Sequence, residues 1–300
     1  MIAIASTAIP STGSHLQDAI DLLHARFAER SVDVGGSAIS YRSCGAETAA
    51  KAVVLLHGIG SGAASWLRCA LELAEDARVI AWNAPGYGAS SPLPMASPSA
   101  ADYAIRLQQF LQTMGIADCV LAGHSLGAMM ASAYVAQEPG RVSQLLLISP
   151  AQGYGSDDKR ARGRQVVQQR LAALEDPGIQ GMAQKSPERM LSPQAGDLAR
   201  AWVRWNAQTL NPAGYAQAVR MLCGDDIQRY LSMTAGPAAA PVMAVYCGVD
   251  DIVTTPQDSR ALAEAFQLPF QLIEAAGHAC YVEQPQAVAA VIRRHLDQLF

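Results

Sequence analysis

The stretch LAGHSLGAMMASAYVAQ, residues 121–137, changes character within a few residues. A short apolar run ends at Gly123, and beyond Gly-His-Ser-Leu-Gly the chain becomes an alanine- and methionine-rich segment typical of a helix. Ser125 therefore lies between a predicted strand over 119–123 and a predicted helix over 126–138. A sharp turn there crowds the backbone, and Gly123 and Gly127 leave room for it. The pattern G-x-S-x-G predicts a nucleophilic serine exposed at the end of a strand.

The composition is that of a globular chain large enough for one α/β domain or two modest ones. It has 300 residues, of which 50% are apolar and 16% charged, and a formal net charge of −4. That charge disfavours nucleic acid as a partner. No apolar run reaches the roughly 20 residues of a membrane-spanning helix, so we expect no membrane partner. The sequence carries no signal for oligomeric state.

The first residues of the chain and its cysteines indicate in which cellular compartment we expect the protein. Residues 1–14 contain no Lys or Arg and are interrupted by Ser, Thr and Pro, which favours a loose tail over a signal peptide. The six cysteines form neither a C-x-x-C pair nor a metal-ligand spacing. We therefore expect reduced thiols and a cytoplasmic protein.

Strand and helix patterns alternate along most of the chain. A helix is predicted over 15–30, followed by a hairpin with a two-residue Gly-Gly loop at 35–36. Uninterrupted apolar runs predict buried strands at 52–56, 78–82, 119–123, 144–149, 242–248 and 270–275. Helical patterns lie near 65–75, 100–114, 126–138, 256–266 and 285–299. This order predicts an α/β fold with a mostly parallel sheet flanked by helices and a hairpin at one edge.

Residues 151–235 interrupt that alternation. They contain no convincing strand, and their helical pieces are rich in Arg, Gln, Met and Trp. We interpret them as a helical lid, or cap, over the carboxyl edge of the sheet, joined through an AGPAAAP linker at 235–241. The core then comprises residues 1–150 and 236–300.

A serine hydroxyl becomes a useful nucleophile only when a base accepts its proton. His278 follows the last predicted strand, in the loop region where open α/β sheets assemble their sites, and is the predicted base. We expect His124 to pack or hydrogen-bond beneath the site, and His15, His24 and His295 to lie on surface helices. Asp250 and Asp251 both follow the strand 242–248, and either can supply the carboxylate that orients the imidazole.

Acyl transfer also requires hydrogen-bond donors where an oxyanion develops. The backbone amide of Leu126, directly after the serine, is one candidate. The glycine-rich loop HGIGSG, residues 57–62, follows the strand 52–56 and offers the main chain of Ile59 as the second. No metal spacing and no phosphate-binding glycine loop is present, so we expect no metal and no cofactor.

Taken together, LLHGIGSGAASW, NAPGYGASS, GHSLGA, GVDDIVTTP and AGHACYVEQP resemble the motifs of the lid-bearing α/β-hydrolase superfamily, over about residues 30–300. The resemblance implies an α/β-hydrolase fold and a triad of Ser125, Asp251 and His278. It selects Asp251 because the acid usually stands three residues after the glycine, and it also implies Ile59 and Leu126 as oxyanion donors. Asn83 stands where relatives commonly have Asp, at a position that is usually structural.

The expected function is hydrolysis of a small carboxylic ester or lactone, the substrate acting as the only predicted partner. The organisation is similar to that of enol-lactone hydrolases. Two alternatives are a C–C bond hydrolase of ring-fission products, disfavoured because no Trp follows His278, and a hydrolase-fold ligand receptor with slow turnover. An apolar lid cleft would use side chains such as Trp202, Trp205, Met182, Met190 and Met221, whereas Arg160, Arg162 or Arg164 would suit a substrate carboxylate.

Overall fold

A computed structural model describes residues 12–234 and 241–298 of the chain. Residues 1–11 of the predicted tail and most of the predicted linker at 235–241 lie outside these residues, whereas residues 12–14 belong to the first helix. The strands are β1 Glu29–Asp33, β2 Ala38–Cys44, β3 Ala52–Leu56, β4 Arg78–Trp82, β5 Val120–His124, β6 Gln144–Ile148, β7 Val242–Gly248 and β8 Phe270–Ile273. They form one eight-stranded sheet in the order β1-β2-β4-β3-β5-β6-β7-β8.

The helices fall into two groups, those of the core and those between β6 and β7. The core group is α1 Thr12–Arg26, α2 Leu67–Leu73, α3 Ala100–Thr113, α4 Leu126–Gln137, α11 Pro256–Ala265, α12 Cys280–Glu283 and α13 Pro285–Asp297. The second group is α5 Arg160–Glu175, α6 Gly178–Gln184, α7 Ser186–Met190, α8 Asp197–Gln208, α9 Pro212–Gly224 and α10 Ile227–Thr234. A short 3₁₀ helix spans Ala63–Trp66. No described helix is both long enough and apolar enough to span a bilayer.

The strands from β3 onward pair in parallel, and the leading hairpin pairs antiparallel with β4 through β2. At the hairpin, Gly35 and Gly36 have φ values of 60° and 81°, and Val34 and Ser37 close the turn with paired backbone hydrogen bonds. Two consecutive positive φ values are what a tight two-residue hairpin loop requires, and they explain the Gly-Gly pair. The predicted loop length is thus confirmed.

Alternate residues of the central strands enter two separate apolar layers. Val54 and Leu56 of β3 pack with the layer that contains α3, α4 and α11, while Val53 and Leu55 pack with the layer that contains α1, α2 and α13. Burial of both faces explains why these strands are apolar without interruption. The predicted α/β architecture, a mostly parallel sheet flanked by helices, is confirmed.

Two expectations about helices were wrong. The first helix ends at Arg26, and residues predicted to continue it instead enter β1, because Arg30 pairs with Tyr41 in the hairpin. His295 of α13 is buried rather than on the surface. Its Nδ1 lies 2.8 Å from Gln144 Oε1 and its Nε2 2.8 Å from Tyr246 OH, so both ring nitrogens are paired within the core.

Candidate active site

The turn at Ser125 is tight and strained. Ser125 has φ 53° and ψ −116°, a backbone conformation that non-glycine residues rarely adopt. A Cβ on Gly123 would lie 2.5 Å from the carbonyl oxygen of Gly127, and one on Gly127 would lie 2.5 Å from that of Leu56. Only glycine fits at these two positions, so the sequence pattern and the turn geometry have the same steric cause.

The main chain holds this turn against β6. The amide of Ser125 donates to the carbonyl of Ile148 over 2.9 Å, and the carbonyl of Ser125 accepts from Ala128 and Ala151, each over 3.1 Å. Helix α4 begins at Leu126, so its amino terminus faces the serine and favours negative charge there. The fold therefore fixes the backbone of Ser125 while the side chain itself makes no hydrogen bond with another described residue.

Asp251 and His278 are brought together from the loops after β7 and β8. Asp251 Oδ2 lies 2.8 Å from His278 Nδ1, and both side chains are almost wholly buried. The other oxygen, Oδ1, accepts from the amides of Val253 and Thr254 over 2.8 and 3.0 Å. The Asp251 carboxylate can only accept a hydrogen bond, so the His278 imidazole carries its hydrogen on Nδ1. Its Nε2 is thereby left as an acceptor. Asp250 is only half-buried, and its amide donates to Ala276.

The environment of Asp251 keeps the carboxylate ionised. Burial alone would raise the pKa of Asp251, but the hydrogen bond and charge of His278, with the amides of Thr254 and Val253, hold it well below its usual value. A negative charge beneath the imidazole stabilises the imidazolium that would form when His278 accepts a proton.

His124 connects the serine turn to the loop that carries His278. Its Nε2 donates to the backbone carbonyl of His278 over 2.9 Å, and the centroids of the two rings are 4.7 Å apart. Burial, and then the charge of His278, lower the pKa of His124 well below the usual range, so the ring is neutral. The structure thus brings Asp251 and His278 into direct contact, while Ser125 is linked to His278 through its chain neighbour rather than by a hydrogen bond of its own.

The loop after β3 is oriented by two aromatic side chains. His57 Nδ1 lies 2.8 Å from the carbonyl oxygen of Gly58, and Nε2 accepts from the amide of Ala84 over 3.0 Å. Tyr87 OH donates to the carbonyl of Ile59 over 3.0 Å. In a trans peptide the C=O and N–H groups point in opposite directions, so holding Gly58 O by His57 turns the Ile59 amide the other way. Neither Ile59 nor Leu126 uses its amide in a loop or turn hydrogen bond with a described residue.

Replacing His57 with asparagine is expected to flatten the dependence of the unfolding free energy on pH. Burial lowers the pKa of His57 from 6.5 to about 4, so at intermediate pH the unfolded chain binds a proton that the folded chain does not. The wild-type unfolding free energy should therefore fall as pH drops from about 6.5 to about 4, by about 3 kcal/mol from this group. Asparagine keeps a donor for Gly58 but does not titrate.

Urea unfolding of both proteins at about pH 7 and about pH 4.5 measures this difference. A substitution of the exposed His15 by asparagine is the matched control. It should retain the wild-type change of unfolding free energy between the two pH values. If the unfolding free energy changes equally with pH in the wild type and in the His57→Asn variant, the assignment of a buried neutral imidazole is contradicted.

The contacts of Asn83 are structural, as the family resemblance implies for this position. Its Oδ1 accepts from the amide of Ala63 over 2.8 Å, and its Nδ2 donates to Glu29 and to Ser40, each over 2.9 Å. The side chain joins the segment after β4 to the hairpin and to the 3₁₀ helix. It therefore supports the loop after β3 without entering the candidate site.

The segment between α7 and α8 is tied to the His278 loop through Glu283. The Glu283 carboxylate accepts from the amide and hydroxyl of Ser192 and from the amide of Gly277, at 2.6 to 3.0 Å. The amide of Ala279 donates to the carbonyl of Met190 over 2.7 Å. These contacts on both sides of His278 were not predicted, because no spacing in the sequence relates Glu283 to Ser192.

Helix α5 presents the basic side chains near its amino end to solvent. Arg160, Arg162 and Arg164 are exposed, and Arg160 pairs with Asp157 over 2.7 Å. A cleft lined by these arginines is therefore not formed. Five apolar side chains were named as candidates for a lid cleft. Of these, Trp202 and Met190 line a small cavity. Trp205 stacks against Trp202, and Met182 and Met221 pack against or within the core.

Metal-binding clusters are absent from residues 12–234 and 241–298: no group of three or more His, Cys, Asp or Glu is arranged to hold an ion. The six cysteines are all unpaired thiols. Asp251, His278 and Ser125 have the side-chain types that acid–base and nucleophilic chemistry requires.

Comparison with known proteins concerns the family and the fold of the chain. A sequence model of the alpha/beta hydrolase family matches residues 53–291. RutD of Klebsiella pneumoniae, whose name describes a carbamate hydrolase, is 29% identical over 83% of this chain and 92% of its own. Three other curated relatives share 32% to 35% identity, but this chain spans only 23% to 32% of their length.

Two solved structures illustrate the likeness of fold. An esterase from Thermogutta terrifontis has a TM-score of 0.75 at 23% identity, covering 91% of this chain and 98% of the esterase. An enol-lactonase from Burkholderia xenovorans LB400 also has a TM-score of 0.75, at 20% identity, covering 89% of this chain and all of the lactonase. At these identities the likeness concerns the fold.

Proposed function

This chain belongs to the alpha/beta hydrolase family, and on that premise we propose that it is a serine hydrolase of a small carboxylic ester or lactone. The buried hydrogen bond between Asp251 and His278, in a loop that His124 ties to the strained turn of Ser125, is the observation that carries the proposal. A base with a fixed tautomer and an unpaired hydroxyl at a strand–helix junction are two components that nucleophilic acyl transfer requires.

In the proposed reaction Ser125 Oγ attacks the substrate carbonyl carbon while His278 Nε2 accepts its proton. Asp251 keeps the Nδ1 hydrogen in place and stabilises the imidazolium. The tetrahedral oxyanion accepts hydrogen bonds from the amides of Ile59 and Leu126, and the amino terminus of α4 adds a favourable field. The imidazolium then protonates the leaving oxygen, and an acyl-enzyme remains on Ser125.

Water completes the cycle by taking the place of the alcohol in a second acyl transfer. His278 removes a proton from a water molecule as that water attacks the acyl carbonyl, and Ser125 leaves as the hydroxyl. In a lactone the leaving alcohol remains part of the released acid, so the same residues act on a cyclic ester. The helices between β6 and β7 act in this proposal as the lid, with Trp202 and Met190 as apolar contacts.

A substrate panel with an active-site label tests the proposal. We expect the wild type to hydrolyse p-nitrophenyl acetate and small lactones, and a fluorophosphonate probe to label Ser125, identified by mass spectrometry of the peptide. A phenyl carbamate and a vinylogous diketone are included in the panel. Turnover only of the diketone would instead favour C–C bond cleavage, and labelling without turnover of any panel member would favour a receptor; either result contradicts ester hydrolysis.

A further inference from the structure

A threonine hydroxyl group lies against both the acid and the base of the candidate site. Thr254 follows Asp251 by three residues in the loop after β7. Its Oγ1 is 2.9 Å from Asp251 Oδ2 and 3.1 Å from His278 Nδ1. Because those two atoms are themselves 2.8 Å apart, the three form a nearly equilateral triangle. Each side has the length of a hydrogen bond, so Thr254 takes part in the contact on which the proposed triad depends.

The same hydroxyl group reaches a further oxygen atom. The carbonyl oxygen of Ser149 is 3.0 Å from Thr254 Oγ1. Ser149 follows β6, is wholly buried and has a φ of 46°, in the left-handed region that non-glycine residues seldom occupy. Its amide donates to the carbonyl of Tyr246 over 2.7 Å, which holds this backbone in place. The single proton of the Thr254 hydroxyl can therefore go to either of two acceptors, Ser149 O or Asp251 Oδ2.

The hydrogen bonds around these two acceptors assign the proton to Ser149. The Asp251 carboxylate already accepts from His278 and from the amides of Val253 and Thr254. Among the described residues, the Thr254 hydroxyl is the one donor that reaches the buried carbonyl of Ser149. If the proton turned to Asp251, that carbonyl would be left unpaired in the interior, which is costly. With its proton directed at Ser149, the Thr254 oxygen presents its lone pairs to the triangle.

Those lone pairs face the hydrogen that His278 carries on Nδ1. This hydrogen is directed at Asp251 Oδ2 over 2.8 Å, and Thr254 Oγ1 at 3.1 Å is its second acceptor, as in a three-centre hydrogen bond. A hydrogen bond is stronger when its donor is charged, so the oxygen stabilises the imidazolium more than the neutral ring. Thr254 thereby assists Asp251 at the moment when His278 accepts a proton.

Other titratable groups are packed around His278 besides its acid partner. His124 of β5 contacts its ring, and burial lowers the pKa of His124, so this imidazole is neutral. On β7 and α12, burial raises the pKa of Cys247 to about 12 and that of Cys280 well above its usual range, so both are neutral thiols. Glu283 of α12 hydrogen-bonds to the backbone directly before His278. None of these four groups has a hydrogen bond to Nδ1 among those of the described residues.

We propose that Thr254 is a positioning residue of the site: its hydroxyl donates to Ser149, and its oxygen accepts the Nδ1 hydrogen of His278 beside Asp251. The inference rests on the proposed function, because the imidazolium that Thr254 stabilises forms when Ser125 loses its proton. The opposite arrangement, in which the hydroxyl donates to Asp251, would weaken the hold of the carboxylate on the imidazolium. The two arrangements therefore predict effects of opposite sign.

The pH at which the His278 imidazole is half-protonated distinguishes them. Thr254→Val has the same shape without the hydroxyl, and we expect it to move this midpoint down by about 0.5 to 1 pH unit, because the charged ring loses an acceptor. Thr254→Ser retains the hydroxyl and should keep the wild-type midpoint. The measurement is an NMR titration of the Cε1 proton of the ring in each protein, and the signal is assigned by its absence from His278→Gln.

Thr255→Val is the matched control, the same chemical change one residue further along the chain. The Thr255 hydroxyl accepts from the amide of Asp258 and donates to its carboxylate over 2.8 Å, and so caps the start of α11. This variant should lose stability through the helix terminus but retain the wild-type midpoint. Circular dichroism verifies the fold of every variant. Thr254→Ala, which is smaller, should move the midpoint in the same direction as Thr254→Val.

The kinetic effect of Thr254→Val should appear in kcat rather than in KM. A midpoint lower by about 0.5 to 1 pH unit corresponds to a proton affinity about 3- to 10-fold weaker. We expect kcat for p-nitrophenyl acetate to fall by about the same factor, with KM within about twofold, because the lost contact matters only once the imidazolium forms. Thr254→Ser and Thr255→Val should both stay within about twofold of the wild type in kcat.

A midpoint that rises in Thr254→Val would overturn the proposal, since the hydroxyl would then donate to Asp251. An unchanged midpoint, or an equal shift in Thr255→Val, would also overturn it and leave Thr254 with a structural role alone. The titration does not need turnover. Failure of the proposed function is therefore observed separately, as the absence of Ser125-dependent hydrolysis of any ester in the panel.

Discussion

Replacing Ser125 with alanine is expected to lower kcat for activated esters by at least about 10⁴-fold, because no other hydroxyl stands at the strand–helix turn to form the acyl-enzyme. The melting temperature should stay close to that of the wild type. Ser125 Oγ makes no hydrogen bond with a described residue, so its removal leaves no group unpaired, and alanine meets the same backbone requirement at φ 53°. Steady-state kinetics with p-nitrophenyl acetate and thermal unfolding measure the two effects.

Ser132→Ala is the matched control for this substitution. Ser132 is a buried serine on α4, and its hydroxyl donates to the carbonyl of Ala128 over 2.9 Å. Its loss should leave kcat within about threefold and reduce the unfolding free energy by about 1 kcal/mol. The two variants should therefore show opposite patterns of activity and stability. More than about 1% of wild-type turnover in a highly purified Ser125→Ala protein would exclude Ser125 as the nucleophile.

Asp251→Asn is expected to lower kcat/KM by about 10³- to 10⁴-fold, while Asp250→Asn changes it less than about fivefold. The neutral amide cannot stabilise an imidazolium, and its NH₂ group can donate to Nδ1, which would leave the Nε2 hydrogen facing Ser125 in the wrong tautomer. Asp250 has no hydrogen bond to His278 among those of the described residues. The two adjacent substitutions remove the same charge, so each is the control for the other.

The measurement is kcat/KM for both variants across a range of pH. Loss of activity in Asp250→Asn with retention in Asp251→Asn would reverse the choice of acid. Equal small effects would show that the carboxylate is dispensable and that the Asp251–His278 contact is structural.

The strands of the sheet were predictable from sequence because burial on both faces determines which residues they contain. β3 to β7 are buried on both faces, so their apolar runs have no interruption, and the predicted bounds agree with the structure within one residue at each end. The turn at Ser125 was predictable for a similar reason, since Gly123 and Gly127 lie against backbone atoms that leave no room for a Cβ. Local steric demands leave a signal in the local sequence.

Contacts between distant segments leave no such signal. The anchoring of Ser192 by Glu283 joins residues that are 91 positions apart, and His295 is buried because β6 and β7 provide Gln144 and Tyr246 as partners. A helical periodicity reports which face is apolar, but a histidine on that helix fits a surface or a polar pair in the core equally well. By contrast, a charge run such as DDKRARGR, residues 157–164, usually lies on a solvated face, and Arg160 within it is exposed.

The bond from His124 to the carbonyl of His278 has a consequence for anyone who would move this centre into another scaffold. His124 precedes Ser125 in the chain, so a single imidazole acts as the spacer between the turn and the loop that face each other. Copying Ser125, Asp251 and His278 alone would transfer the proposed triad without the side chain that ties its two halves together. We therefore expect a graft of this site to require four side chains, with His124 as the fourth.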